Sequence, residues 1–256
     1  MEDIAFFDCN VSFGIPPKPG LGYAATPDDL LAEMDHCGVD EALVTCAAQQ
    51  FGSPLEGNEM VVVQTRGYAR LHPVWALLPS QTGEFPEPAA LIAQMRVHNV
   101  HALCAWPGQH HYLLDGRTFG SLLEELTARR VPLFLPLTEQ SGGQGGWSLA
   151  GSLLEEYPRL TLVLTNQSVW GQDRYFRPLV EQYPNLYLET SHYELANGLS
   201  DLCRRYGAER WLFGSAYPER CLGGAVYQLL RADVPRAAIK AIAGANLRRL
   251  LEEAVL

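Results

Sequence analysis

Acid–base chemistry near neutral pH needs a carboxylate or an imidazole whose proton affinity its surroundings can tune. Four side chains offer it here. They are His111 in the run His110-His111-Tyr112, Glu139 beside Gln140, Glu189 in alternation with Tyr187 and Ser191, and His192 in His192-Tyr193-Glu194. A histidine close behind a carboxylate at the end of an apolar run makes an acid–base pair if the two touch. Each has a plainer role open to it as well: surface histidines, a solvated glutamate, a carboxylate turned toward a helix. A second set suits holding a molecule. Asn10, Ser12 and Asn166 close apolar runs with amide and hydroxyl groups, the material of a polar pocket floor. Trp106, Trp170, Tyr193 and Tyr217 stand just past such runs and would wall a small-molecule pocket. Cys9 and Cys46 also end runs. A nucleophilic thiol needs a neighbouring cation or base, and none lies beside them, so they read as core packing.

Composition bounds what those residues can belong to. The chain has 256 residues, 47% apolar and 19% charged, which is globular and long enough for a large core. Its 19 Lys and Arg against 29 Asp and Glu leave a net charge of −10, and no basic run interrupts the excess. That balance argues against nucleic acid as a partner and against an anionic membrane surface. No apolar run approaches the roughly 20 residues that span a bilayer, and the first residues are acidic where a signal peptide is basic. The six cysteines form no CxxC pair. Reduced thiols in a cytoplasmic protein are the simple reading.

The elements that must position these groups alternate. Strand-like runs cover residues 4–10, 41–46, 71–77, 102–105, 131–138, 160–166, 186–191 and 210–215, with helical runs between most of them. Thr26-Pro27-Asp28-Asp29 reads as an N-cap, a proline at the first helical position and an acidic first turn, opening a helix that stops near Gly38. Helices are also expected at 58–68, 89–98, 121–130, 148–157, 173–182 and 197–206, and two close the chain. The stretch Ser141-Gly-Gly-Gln-Gly-Gly-Trp147 reads as a glycine-rich loop suited to a lid. About eight strand–helix units in about 250 residues predict one closed (β/α)8 TIM barrel over residues 1–256. In such a barrel the site lies at the carboxyl ends of the strands. Period-two alternation then puts Asp8, Asn10 and Ser12 on one face, Leu162, Leu164 and Asn166 on another, with Phe134, Pro136 and Thr138, and Leu212, Gly214 and Ala216, on two more.

Several runs resemble one family. Trp211-Leu-Phe-Gly-Ser-Ala-Tyr-Pro218 is similar to the "FGSDYP" end of the last strand in the metal-dependent hydrolases of the amidohydrolase-2 branch of the amidohydrolase superfamily. Pro158-Arg-Leu-Thr-Leu-Val-Leu-Thr-Asn166 is similar to its "P-x-L-x-x-V-x-x-H", Tyr183-Pro-Asn-Leu-Tyr-Leu-Glu-Thr-Ser191 to its seventh strand, and Asn246-Leu-Arg-Arg-Leu250 to its terminal "N-x-x-R-L". The resemblance spans nearly the whole chain and implies the same barrel. It also implies five metal-ligand positions: an H-x-H pair on strand one, a His each on strands five and six, and an Asp on strand eight. Here they read Asn10, Ser12, Pro136 (Thr138 in another register), Asn166 and Ala216. Amides and a hydroxyl, with a proline and an alanine, leave no anionic donor for a borderline divalent metal.

The expectation is therefore an amidohydrolase-like barrel with a small-molecule pocket, no metal and no cofactor. A ligand-binding pseudoenzyme is the favoured reading. The alternative is a metal-independent hydrolase or lyase acting on a small, cyclic or carboxylated substrate, with His111, Glu139, Glu189 and His192 as acid–base groups. Asn10, Ser12, Trp106, Asn166, Trp170, Tyr193 and Tyr217 are the expected ligand contacts. Nothing in the sequence decides for or against a homodimer.

Overall fold

A computed structural model describes residues 4–18, 22–167 and 172–256. Trp170 falls outside them. Eight parallel staves run β1 (Phe7–Phe13), β2 (Glu41–Cys46), β3 (Leu71–Pro73, continuing after Val74 as Trp75–Ala76), β4 (Leu103–Cys104), β5 (Leu133–Pro136), β6 (Leu162–Thr165), β7 (Leu186–Glu189) and β8 (Trp211–Leu212). A three-stranded and a six-stranded sheet meet at β3, whose first part pairs with β2 and whose second pairs with β4. The barrel closes where the Cys9 amide donates to Phe213 O and the Ser12 amide to Tyr217 O, both at 2.9 Å. The (β/α)8 barrel expected from the alternation is the observed fold.

Local chemistry explains most element ends. Helix α1 (Pro27–Cys37) carries the full capping box: the Asp29 amide donates to Thr26 Oγ1, the Thr26 amide donates back to the Asp29 carboxylate, and Gly38 closes the helix at φ 75°. Two elements differ from the sequence expectation. The helix placed at 58–68 runs Pro54–Thr65, started by Ser53, whose hydroxyl accepts from the Glu56 amide, and it follows a short helix at Ala47–Phe51. The glycine stretch after β5 is a hairpin pairing Gln140–Ser141 with Gln144–Gly145. Gly142 and Gly143 take φ of 57° and 80° at its turn, the left-handed pair that a type I′ hairpin turn requires.

Two apolar clusters separate inside from outside. Phe7, Cys9, Leu43, Val74, Cys104, Phe134, Val163, Tyr187 and Leu212 fill the barrel and are plugged at its amino end by Leu247 and Leu250. The alternate residues, among them Leu133, Leu135, Leu162, Leu164, Leu186, Leu188, Trp211 and Phe213, pack with the helices. The staves are apolar on both faces, as a parallel sheet covered by helices requires.

That division corrects two of the expected faces. On β6, Val163 lies inside while Leu162 and Leu164 meet the helices. Asn166 reaches the mouth because its backbone turns left-handed, φ 56°. On β1, one extra residue between Asp8 and Val11 breaks the register with β2. Asp8 stands opposite Ala42 on the helix-facing side, while Ser12 stands opposite Thr45.

Candidate functional site

The carboxyl end of the barrel holds a cavity of about 120 Å3. From the expected contacts the fold brings Asn10, Ser12, Trp106, Asn166 and Tyr217 to it, together with Thr45, Gln50, Phe134, Pro136, Thr138, Thr165, Ala216 and Glu219. At its floor the Asn10 Nδ2 donates to the Asn166 Oδ1 at 2.8 Å, joining residues 156 positions apart.

Beneath this pair lies Glu189. It shares the inward side of β7 with Tyr187 and is fully buried. One carboxylate oxygen accepts from the Asn166 amide at 2.8 Å and from the Ser191 hydroxyl at 2.7 Å; the other accepts from the Ser191 amide at 2.5 Å. The Asn10 side chain also bonds to it. Burial raises its pKa, opposed by these hydrogen bonds. Gly214 makes room for the carboxylate: a Cβ there would lie 2.5 Å from Glu189 Oε2.

Asp8 is a second buried acid that sequence reasoning passed over. Its Oδ1 accepts from the Asn10 and Ser215 amides, each at 3.0 Å, so one carboxylate ties the β1 bulge to the end of β8. Its Oδ2 is buried with no hydrogen-bond partner. Burial raises its pKa to about 7, with the neighbouring Glu189 charge adding to the effect. The available signal was an aspartate two residues before a polar strand end, where its side chain can take the i+2 amide.

The remaining expected groups lie away from the cavity. His111 is exposed, at φ 57°. Its neighbour His110 faces the barrel end instead, with Nε2 3.2 Å from the Gln50 carbonyl and its ring 5.9 Å from Trp106. Glu139 is buried between loops and accepts from the Gly108 and Gln109 amides at 2.8 and 3.2 Å. It ties the loop after β4 to that after β5, and burial raises its pKa. His192 is half-buried, its pKa lowered by burial and then by the Arg220 charge, and its Nε2 has no partner. Tyr193 belongs to the core: its hydroxyl donates to Asp173 at 3.0 Å and its ring packs against Phe176. Large rings beside apolar neighbours are buried for their area first, which is why position after a strand end misplaced it. No His–Glu hydrogen bond joins the expected acid–base set, so only Glu189 of the four stands under the cavity.

Neither a protein-family model nor a curated protein matches the chain in sequence. Solved structures do match its fold. An uncharacterized TIM-barrel protein from Bordetella bronchiseptica is 20% identical, with a TM-score of 0.73, over 97% of this chain and 99% of that one. The 5-carboxyvanillate decarboxylase of Sphingomonas paucimobilis is 15% identical, TM-score 0.72, over 98% and 99%. A dihydroxybenzoic acid decarboxylase from Polaromonas sp. JS666, solved with bound manganese and the inhibitor 2-nitroresorcinol, is 16% identical, TM-score 0.73, over 97% of each chain.

The residues at this barrel's mouth do not fit such a metal. Among the described residues no three His, Cys, Asp or Glu side chains stand together as a metal-binding group. The Asn10 amide nitrogen and the Asn166 amide oxygen are committed to each other, and Ala216 brings no donor atom.

Proposed function

We propose that residues 1–256 form one barrel domain that binds a small molecule in its mouth without a metal or other cofactor, as a ligand-binding pseudoenzyme of amidohydrolase-like fold. The observation that carries this is the Asn10–Asn166 amide pair at the cavity floor, standing where the sequence resemblance would put two imidazole ligands. A polar floor under Trp106, Phe134 and Tyr217 suits a ligand that is oriented by few polar contacts and held by apolar area.

A second reading, a metal-independent lyase, rests on Glu189. Burial favours its neutral form, so it could give up a proton, yet it lies below the amide pair and no second acid–base group faces it from the cavity.

Ligand-observed NMR against a fragment library tests the first reading, with Asn166→Gly as the control. Fragments should bind the native protein and lose binding in the variant, which keeps the left-handed backbone free of strain. Release of carbon dioxide from 5-carboxyvanillate, the substrate that the Sphingomonas paucimobilis enzyme is named for, would replace it with the second.

A further inference from the structure

The cavity's chemistry narrows what it accepts, an inference that rests on the mouth being a ligand site. Its described lining holds no Lys, Arg or His, and its one ionisable carboxylate is Glu219 at the exposed end. The undescribed residues 1–3, 19–21 and 168–171 contain no Lys, Arg or His either. Cys9 and Cys104 also line the cavity, and burial pushes both thiols up, away from the charged form. Two more buried acids stand close by: Glu189, which accepts from the Asn166 amide, and Asp8, which accepts from the Asn10 amide. A carboxylate entering would lose its hydration, meet no cation, and face only groups that are neutral or negative. Burying an unpaired charge in that way is strongly unfavourable.

The floor adds direction. The bond between the asparagines uses the Asn10 Nδ2 and the Asn166 Oδ1. What remains for a ligand is an acceptor, the Asn10 Oδ1, beside a donor, the Asn166 Nδ2. An acceptor next to a donor on one edge is matched by a group presenting N–H and C=O side by side. Primary carboxamides and lactams have that edge; carboxylates and ketones, which bring no donor, do not. The flanking rings of Trp106, Phe134 and Tyr217 favour a flat molecule behind it.

We propose that the barrel mouth selects an uncharged, flat molecule bearing an adjacent C=O and N–H, a carboxamide or lactam, and rejects the carboxylate of the same shape.

Calorimetric titration of the intact chain with benzamide, benzoate and acetophenone tests this, because the three differ little in shape. Benzamide should bind on the order of tenfold or more tighter than benzoate, with acetophenone weaker than benzamide for want of a donor. Asn166→Asp keeps the side chain's shape and suits the left-handed backbone, but turns the donor into an acceptor. It should weaken benzamide and raise the affinity of cationic benzamidine relative to it, a reversal that general loosening of the fold would not produce. Benzoate binding as tightly as benzamide, or an unchanged benzamidine-to-benzamide ratio in the variant, overturns the inference. If other fragments still bind at the mouth in competition with one another, the ligand site itself stands and only its selectivity was misread. If no fragment of any class binds there, both fall together.

Discussion

A methyl group placed on Gly214 would sit 2.5 Å from the Glu189 Oε2 and 3.2 Å from the Asn10 Cβ. The last stave thus gives up its side chain so that the seventh can bury a carboxylate under the asparagine pair. Gly214→Ala should cost about 1–3 kcal/mol in unfolding free energy, the usual range for overpacking a filled interior. In a Glu189→Ala background the same methyl should cost clearly less, since the obstructing oxygen is gone. Denaturant melts of the four proteins in the cycle measure this; strictly additive losses would mean that the close approach does not set the need for glycine.

Asp8 makes stability depend on pH in an uncommon direction. Its folded pKa is raised from 3.8 to about 7 by burial, with the Ser215 side chain and then the Asn10 and Ser215 amides opposing. Between those values the folded chain holds a proton that the unfolded chain has released, so stability falls as pH rises. The stability linked to this proton is fully present below about pH 4 and lost as pH climbs through about 7, on the order of 4 kcal/mol at most for a shift of that size. Glu189, also raised, acts with the same sign. Asp8→Asn keeps an oxygen for both amides and should flatten the slope. Urea melts from pH 5 to 8 check it; a native chain that gains stability across that range relative to the variant would contradict the assignment.

Ala216 occupies φ 55°, a left-handed conformation that costs an alanine roughly 1 kcal/mol relative to glycine. The resemblance noted in the sequence puts aspartate at this position, and aspartate tolerates that conformation. Ala216→Gly should raise the midpoint of thermal unfolding slightly, and a drop would show that the alanine methyl makes a packing contact worth more than the strain.

Chelators should leave the melting temperature unchanged, because a metal bound only to the folded chain would raise it and its removal would lower it. Introducing the ligand set that the sequence resemblance implies, as Asn10→His, Ser12→His, Pro136→His, Asn166→His and Ala216→Asp, should yield at most weak zinc binding and no strong hydrolase activity, since imidazoles need partners to fix their tautomer and direction. Elemental analysis and turnover assays decide; about one metal per native chain would defeat the first statement, robust metal-dependent turnover the second.

The barrel was legible because each stave and helix announces itself locally. The N-cap at Thr26, the glycine at 38 and the apolar run at β2 lie where counting puts them. The inward residues of β5, Phe134 and Pro136, also follow from simple alternation. Counting failed where the backbone departs from period two. Asn166 reaches the cavity through a left-handed turn, although the residues two and four before it face the helices. Distance along the chain hid the rest. That Glu189 needs Gly214, or that Asp8 holds Ser215, follows only once β1, β7 and β8 are neighbours. Tyr193 and Glu139 mislead because a polar tip on a loop is needed as often to tie loops together as to touch a ligand.

The irregularity in β1 has a genetic consequence. Two inward-facing stretches of one stave, Phe7 with Cys9 and then Asn10 with Ser12, are put in phase by a single additional residue between Asp8 and Val11. Loss of one codon in that interval would leave a regular strand in which both stretches cannot face inward together. Either the phenylalanine and cysteine would leave the barrel's filling, or the asparagine and serine would leave its mouth. A single substitution in this segment leaves that phase intact, whereas a one-residue deletion removes either the interior or the cavity floor at a stroke. Among descendants of this chain that keep the mouth, the length between Asp8 and Val11 should stay fixed even where the residues change.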